Sequence, residues 1–333
     1  MNLAINGLGR MGRLFLRVAH QRGLAITAIN EPKGTPETLA LGVEFDSVHG
    51  RYAAPCRGEP GALWLGDRRL ALSQTTDLAA LPWRQHDIGL VVECSGKVKT
   101  AAGLQPHVSH GVRAIVVSNP VPEVPNLVIG VNDRGVDFAR HPIVTAASCT
   151  TNCLAPLVRV LHDGLGIERG VVTTIHDPTN TQGVVDRADA DPRRARSALL
   201  NLIPTTTNSA TAVTLIVPEL RGKLDSLAVR APVLNASLTD CAFHVARDTT
   251  VDEVNGLLRA ASEHGPLHQI LGYETRPLVS SDFARDPRSG IVDAGCTRVV
   301  DRRLVKVMAW YDNEWGYVNR LADLVQQVLA ARA

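Results

Sequence analysis

Asn6-Gly7-Leu8-Gly9-Arg10-Met11-Gly12 decides the fold. Its three glycines make a G-x-G-x-x-G pattern, and the surroundings give the pattern meaning. Leu3–Asn6 reads as a short apolar strand. Arg10–Gln21 places Met11, Leu14, Phe15 and Val18 at helical spacing. Leu24–Asn30 reads as a second strand, and Glu31 stands at its end, 19 residues after Gly12. A tight strand-to-helix turn that binds nothing can carry the same glycines. The strand before, the helix after and the acid beyond are what a dinucleotide-binding unit requires. Gly7, Gly9 and Gly12 would let backbone approach a pyrophosphate, and the helix N-terminus would supply N–H donors. Glu31 would accept from ribose hydroxyls and repel a 2′-phosphate, which favours NAD over NADP; Lys33, two residues on, weakens that preference.

Outward from this start, short strands and helices alternate. Ile88–Glu93, Arg113–Ser118, Leu127–Val131 and Ile143–Ala147 read as strands, with Thr100–His110 helical between them. Alternation of this kind predicts a doubly wound parallel sheet of Rossmann type, its strands buried on both faces. Beyond residue 148 the period changes. Gly170–His176, Ser226–Val233, Ala236–Val245, Ile291–Val300 and Arg303–Tyr311 read as longer strands, several alternating in polarity, and Val251–His264 and Val318–Ala331 as helices. This predicts an α+β catalytic domain with a mostly antiparallel sheet, spanning 149–313. The dinucleotide-binding domain would span 1–148 and be completed by a C-terminal helix within 314–333. Asp177–Pro204 is weakly periodic and long enough to be a functional loop.

The 333 residues suit two domains. Apolar residues make up 45% and charged residues 20%, which supports a sizeable core and excludes a disordered chain. Thirty Arg and five Lys meet 33 acids, so the net charge of +2 offers no nucleic-acid footprint. No apolar run is long enough to span a membrane. Met1–Gly7 lacks the basic and apolar regions of a signal peptide. The six cysteines (56, 94, 149, 153, 241 and 296) are too few for a disulfide scaffold and predict reduced thiols in a cytoplasm. No second Cys/His pair accompanies Cys149 and Cys153, so no metal site is expected.

Cys149 lies where an apolar strand meets the amphipathic run Leu154–Leu161. That puts it at a helix N-terminus, where partial positive charge favours a thiolate. Backbone N–H groups there could also steady an oxyanion. His176 ends a strand 27 residues later and could fold back as base and charge partner. Spacing alone leaves open an inert buried thiol and a satisfied histidine. Cys153, one turn further on, reads as core.

Five stretches in chain order now resemble the glyceraldehyde-3-phosphate dehydrogenase family: Asn6–Arg13, Ala147-Ser-Cys-Thr-Thr-Asn-Cys-Leu-Ala-Pro156, Arg193-Arg-Ala-Arg196, Pro218-Glu-Leu-Arg-Gly-Lys-Leu224 and Trp310-Tyr-Asp-Asn-Glu-Trp-Gly-Tyr317. The resemblance implies that Cys149 attacks the aldehyde of glyceraldehyde 3-phosphate to give a thiohemiacetal. His176 would act as base while hydride leaves toward the nicotinamide, and inorganic phosphate would attack the thioester. It implies Thr179 and Arg230 for the substrate's C3 phosphate, and Ser148, Thr150, Thr207 and Asn208 for the attacking phosphate. Arg194 would serve the phosphates. Arg10, Met11, Glu31, Ser118 and Asn313 would contact NAD, Asn313 facing the nicotinamide amide. It also implies a homotetramer in which Asp177–Pro204 reaches toward a neighbouring cofactor site.

The chain departs from the family's usual pattern at several positions. Asn208 stands where Gly is usual, and its side chain could narrow the attacking-phosphate site or add an amide donor. Asp177-Pro178 replaces a small residue and Tyr, Ala231-Pro232-Val233 replaces Val-Pro-Thr, and Glu31 replaces Asp. The segments Ile175–Gln182, Phe45–Gly50 and Asp286–Asp293 resemble a branch associated with an arsenical permease. In that branch arsenate would replace phosphate, giving 1-arseno-3-phosphoglycerate in place of 1,3-bisphosphoglycerate, in an arsenate-resistance role. The alternatives are an ordinary glycolytic or gluconeogenic enzyme, an erythrose-4-phosphate dehydrogenase, which Glu31 resembles, and a non-catalytic NAD-sensing regulator.

Overall fold

In the computed structural model, residues 1–179 and 182–332 are described. Asn180 and Thr181 of the Ile175–Gln182 segment, and Ala333 of the predicted C-terminal helix region, lie outside them. The chain forms two compact units. One holds residues 1–127, 135–148 and 318–333, the other 128–134 and 149–317.

The first unit opens with β1 (Asn2–Asn6), α1 (Arg10–Gln21), β2 (Ile26–Asn30) and α2 (Pro36–Glu44). There follow β3 (Cys56–Glu59), β4 (Ala62–Leu65), β5 (Arg68–Ser73), β6 (Ile88–Glu93), α3 (Ala101–Ser109), β7 (Ala114–Val117) and β8 (Ile143–Thr145). They build one sheet in the order β3-β4-β5-β2-β1-β6-β7-β8. It is parallel from β5 to β8, and β3 and β4 add an antiparallel edge. Every residue of β6 is buried, as a strand covered on both faces must be. Trp83 and Leu104 pack with Val91, Ile115 and Val117 in the core. The chain leaves β1 for β2 on one side and returns to β6 on the other. The glycine turn therefore opens at a topological switch point, where doubly wound sheets bind ligands.

The second unit contains α4 (Cys149–Leu165), β9 (Ile167–His176), β10 (Ile203–Thr206), α5 (Ser209–Ile216), β11 (Leu224–Arg230), β12 (Ser237–Val245) and α6 (Val251–Glu263). It continues through β13 (Leu271–Glu274), β14 (Gly290–Asp293), β15 (Arg298–Val300) and β16 (Leu304–Tyr311) to the start of α7 (Trp315–Ala330). The mixed sheet runs β10-β11-β9-β12-β16-β14-β13, with β15 on β16. Residues of β12 and β16 alternate between buried and part-exposed, so one face forms the core. Against it lies α4, whose residues Thr150–Val158 are all buried. α6 begins as its sequence predicts, with the Thr250 hydroxyl accepting from the Glu253 N–H at 3.2 Å.

Two sequence expectations change. Leu127–Val131 is not a strand: the one bridge here, Asn126 to Thr145, lies just before it. The chain then turns, because Asn132 Oδ1 takes the Val128 N–H, Asp133 Oδ1 takes the Gly130 N–H, and Gly130 sits at φ +83°. Ile291–Val300 is broken by a helical turn at Ala294–Cys296 into β14 and β15.

Candidate active site

In the first unit the glycine turn is too tight for any side chain at two positions. Gly7 has φ +96°, and a Cβ there would lie 2.6 Å from the Ser95 backbone. A Cβ at Gly12 would lie 2.0 Å from the Gly7 carbonyl oxygen. A Cβ at Gly9, the residue just before α1, would meet open space, and Gly9 brings no side chain to cap the helix. A helix N-terminus beside open space is what a pyrophosphate needs. The Glu31 carboxylate accepts from Leu8 N–H at 2.8 Å and Lys33 N–H at 3.0 Å, tying the acid to the turn. The Arg10 guanidinium meets Asp46 at 2.5 Å, Met11 is half-buried, and Ser118 N–H donates to the Glu93 carbonyl at 2.9 Å. These residues fit a bound NAD.

The second unit brings a thiol and an imidazole together. Cys149 is the first residue of α4, and its Sγ lies 3.7 Å from His176 Nε2 at the end of β9. Thr150 Oγ1 is 4.0 Å from the same sulfur and 2.9 Å from the Tyr311 hydroxyl. The Tyr311 ring meets the imidazole edge-on, with centroids 6.1 Å apart. Burial opposes charge on His176, but Asp177 and Cys149 beside the ring outweigh it and raise the pKa to about 9. β11 and β9 are parallel neighbours, and their register pairs Arg230 with His176. The Arg230 Nη1 donates to the Asp177 carbonyl at 3.0 Å, and its Nε is buried without a hydrogen-bond partner.

The other predicted residues make separate contacts. Arg194 reaches Thr205 Oγ1 through Nε and Nη2 at 3.2 and 3.0 Å, and meets Asp191 at 3.3 Å. Its charge bears on Arg230. The Thr207 hydroxyl is 2.7 Å from that of Ser209. Asn208 is exposed at the start of α5 and makes no side-chain cap. Thr179 is exposed, its N–H and hydroxyl both directed at Gln182 Oε1. Asn313 Nδ2 donates to Asp177 Oδ2 at 3.1 Å. Ser148 is the last residue of its segment of the first unit.

Sequence reasoning noted Asp177 only as a departure and missed Tyr311. A carboxylate directly after the histidine was the available signal for the first; the second lay unread inside the Trp310–Tyr317 motif. Burial pushes Cys94 and Cys153 up to about 12, Cys56 to about 11, and Cys241 well above its usual value.

Residues 1–101 match the family model described as glyceraldehyde 3-phosphate dehydrogenase, NAD binding domain. Residues 148–313 match glyceraldehyde 3-phosphate dehydrogenase, C-terminal domain. The chain is 53% identical over 330 residues to glyceraldehyde-3-phosphate dehydrogenase 3 of a Nostoc species, covering 98% of each. It is 47% identical to glyceraldehyde-3-phosphate dehydrogenase of Pseudomonas aeruginosa, covering 100% of this chain and 99% of the other. With glyceraldehyde-3-phosphate dehydrogenase 2 of Bacillus subtilis it shares 41% identity, over 99% and 97% of the two chains.

Proposed function

The chain belongs to the glyceraldehyde 3-phosphate dehydrogenase family, and from that premise we propose that it oxidises glyceraldehyde 3-phosphate through an acyl-enzyme on Cys149. The observation that carries this reading is the Cys149 sulfur 3.7 Å from His176 Nε2 at the first residue of α4. The thiolate adds to the aldehyde carbon, and the carbonyl oxygen takes the proton from Nε2. When the thiohemiacetal loses hydride, its hydroxyl proton returns to Nε2. NAD, when bound, supplies the hydride acceptor. The oxyanion then attacks the thioester carbon, and the Cys149 thiolate leaves.

Arg230 and Thr179 bind the C3 phosphate; the buried, unshared Arg230 Nε supports that role. Ser148, Thr150, Thr207 and Asn208 receive the attacking oxyanion, and Arg194 serves the phosphates. Gly7, Gly9, Arg10, Met11, Gly12, Glu31, Ser118 and Asn313 hold NAD. The dinucleotide-binding domain takes 1–127, 135–148 and 318–333, and the catalytic domain 128–134 and 149–317. The enzyme works as a cytoplasmic homotetramer. Apolar side chains left exposed at Val184, Val185, Leu199, Leu200, Leu202 and Leu234 support assembly with further copies. Among the described residues no helix is long and apolar enough to cross a membrane.

A second reading concerns the oxyanion. Arsenate as co-substrate, with a functional link to an arsenical permease, rests on the resemblance of Ile175–Gln182, Phe45–Gly50 and Asp286–Asp293, and Asn208, exposed next to Thr207, is the altered position in the oxyanion site. The test is steady-state turnover with each oxyanion. Ordinary phosphorylating activity predicts a phosphate kcat/KM at least equal to that with arsenate, and arsenate specialisation predicts the reverse. In both cases Cys149→Ser loses turnover by more than about 1,000-fold while still binding NAD. Wild-type-like activity in that variant would refute the whole reading.

A further inference from the structure

Asp177 follows His176 at the end of β9 and turns its side chain back onto the ring. Its carboxylate Oδ1 stands 2.5 Å from His176 Nδ1, and its main-chain oxygen stands 2.8 Å from the same nitrogen. Of the two, only the main-chain oxygen has hydrogen-bond geometry to that nitrogen. The carbonyl takes the hydrogen bond, which fixes the tautomer with Nε2 turned toward the thiol. The carboxylate lies off that axis and acts through its charge. Both side chains are nearly excluded from solvent, at 7% and 5% exposure, so that charge is poorly screened.

The other carboxylate oxygen, Oδ2, accepts from Asn313 Nδ2 at 3.1 Å. An ionised carboxylate only accepts, so it dictates which end of the Asn313 amide faces it. Asn313 Oδ1 is left toward the Ser237 hydroxyl at 3.5 Å. The same residue's carbonyl takes the Arg230 Nη1 donor. Asp177 thus touches the base, the amide and the guanidinium at once.

We propose that Asp177 is a positioning residue completing a Cys149–His176–Asp177 relay, in which its charge keeps the imidazole protonated beside the thiolate and its second oxygen sets the Asn313 amide. This rests on the dehydrogenase reading above, because it gives Asp177 a part in the same site. Four titratable groups face the ring: Cys149 from α4, Tyr311 from β16, Arg230 from β11 and Asp177 beside it. Of these only Cys149 and Asp177 offer negative charge to an imidazolium, and Arg230 opposes it. Burial would strip the proton from the ring, so an added negative charge is what keeps it on. In the addition step that proton goes from Nε2 to the carbonyl oxygen, and in the oxidation step it returns. Asp177 gains and loses none.

The test compares wild-type enzyme with Asp177→Asn and Asp177→Glu. Asp177→Asn keeps the main-chain carbonyl, and so the tautomer, while removing the charge. The measurement is the rate of Cys149 alkylation by iodoacetamide against pH, alongside kcat and KM, with thermal melting to verify folding. We expect the alkylation midpoint of Asp177→Asn to rise by about one pH unit, a roughly tenfold slower reaction at pH 7. kcat should fall more than KM rises, and Asp177→Glu should restore the midpoint. If Asp177→Asn does not fold, Asp177→Ser is measured in its place. An unmoved midpoint in a folded neutral variant, or an equal shift in Asp177→Glu, overturns the proposal. Failure of the dehydrogenase reading looks different: wild-type Cys149 would then react no faster than the other five cysteines.

Discussion

Cys149 and Cys153 stand one turn apart on one helix, yet only the first faces an imidazole. Cys153 is buried, and a Cβ at Gly290 would touch its sulfur at 3.0 Å, so its place is filled by the sheet below. The reactive thiol was legible because a strand-to-helix junction announces where a helix dipole begins. Asp177 was not legible as a partner, because adjacency in sequence does not say which way a side chain turns. The His176 charge has a consequence for stability. Its folded pKa, about 9, lies above the ordinary imidazole value near 6.5. The stabilisation is therefore complete below about pH 6.5 and is lost as pH rises through about 9. Thermal melts should show a decline on the order of 1–3 kcal/mol over that interval, and His176→Gln should flatten it. A wild-type melting temperature that does not fall across the interval contradicts the charged histidine.

At the scale of elements, apolar runs and glycines predicted the parallel strands and α1 well, since both faces of those strands are buried. The antiparallel edge β3–β5 and the short helix α2 were not predicted. β3, Cys-Arg-Gly-Glu, has no buried residue at all, so no hydrophobic period could mark it. Leu127–Val131 failed for the opposite reason: its apolar side chains are real core, but Asn132 and Asp133 claim its N–H groups for a turn. The glycine turn is the element on which NAD binding depends. Gly12→Ala puts a methyl into the Gly7 carbonyl, which forces the turn open. NAD affinity should fall by at least about 100-fold, or ~2.7 kcal/mol, by calorimetric titration. Gly9→Ala, with open space around it, should lose less. Equal losses would mean that the turn is not packed as described.

The molecule carries large apolar side chains on its surface: Leu200 is 84% and Leu234 77% exposed. On the homotetramer reading, light scattering should give about four times the 35.8 kDa chain mass. Leu200→Asp should shift the enzyme to smaller species. A wild-type monomer would refute the assembly. Sequence alone marked the change of period near residue 148, but it could not show that 128–134 groups with the second unit. That segment reads as one more strand of the first. The last helix adds something further. Arg22 of the first unit is held by Asn319 at 2.7 Å and Asp323 at 2.5 Å, and residues 318–332 count among that unit's own. Domains commonly close in the order in which they are made. Here the first unit closes only with residues from the end of the chain. The nucleotide-binding half emerges first yet waits, with part of its core uncovered, until the half bearing the thiol has been synthesised in full.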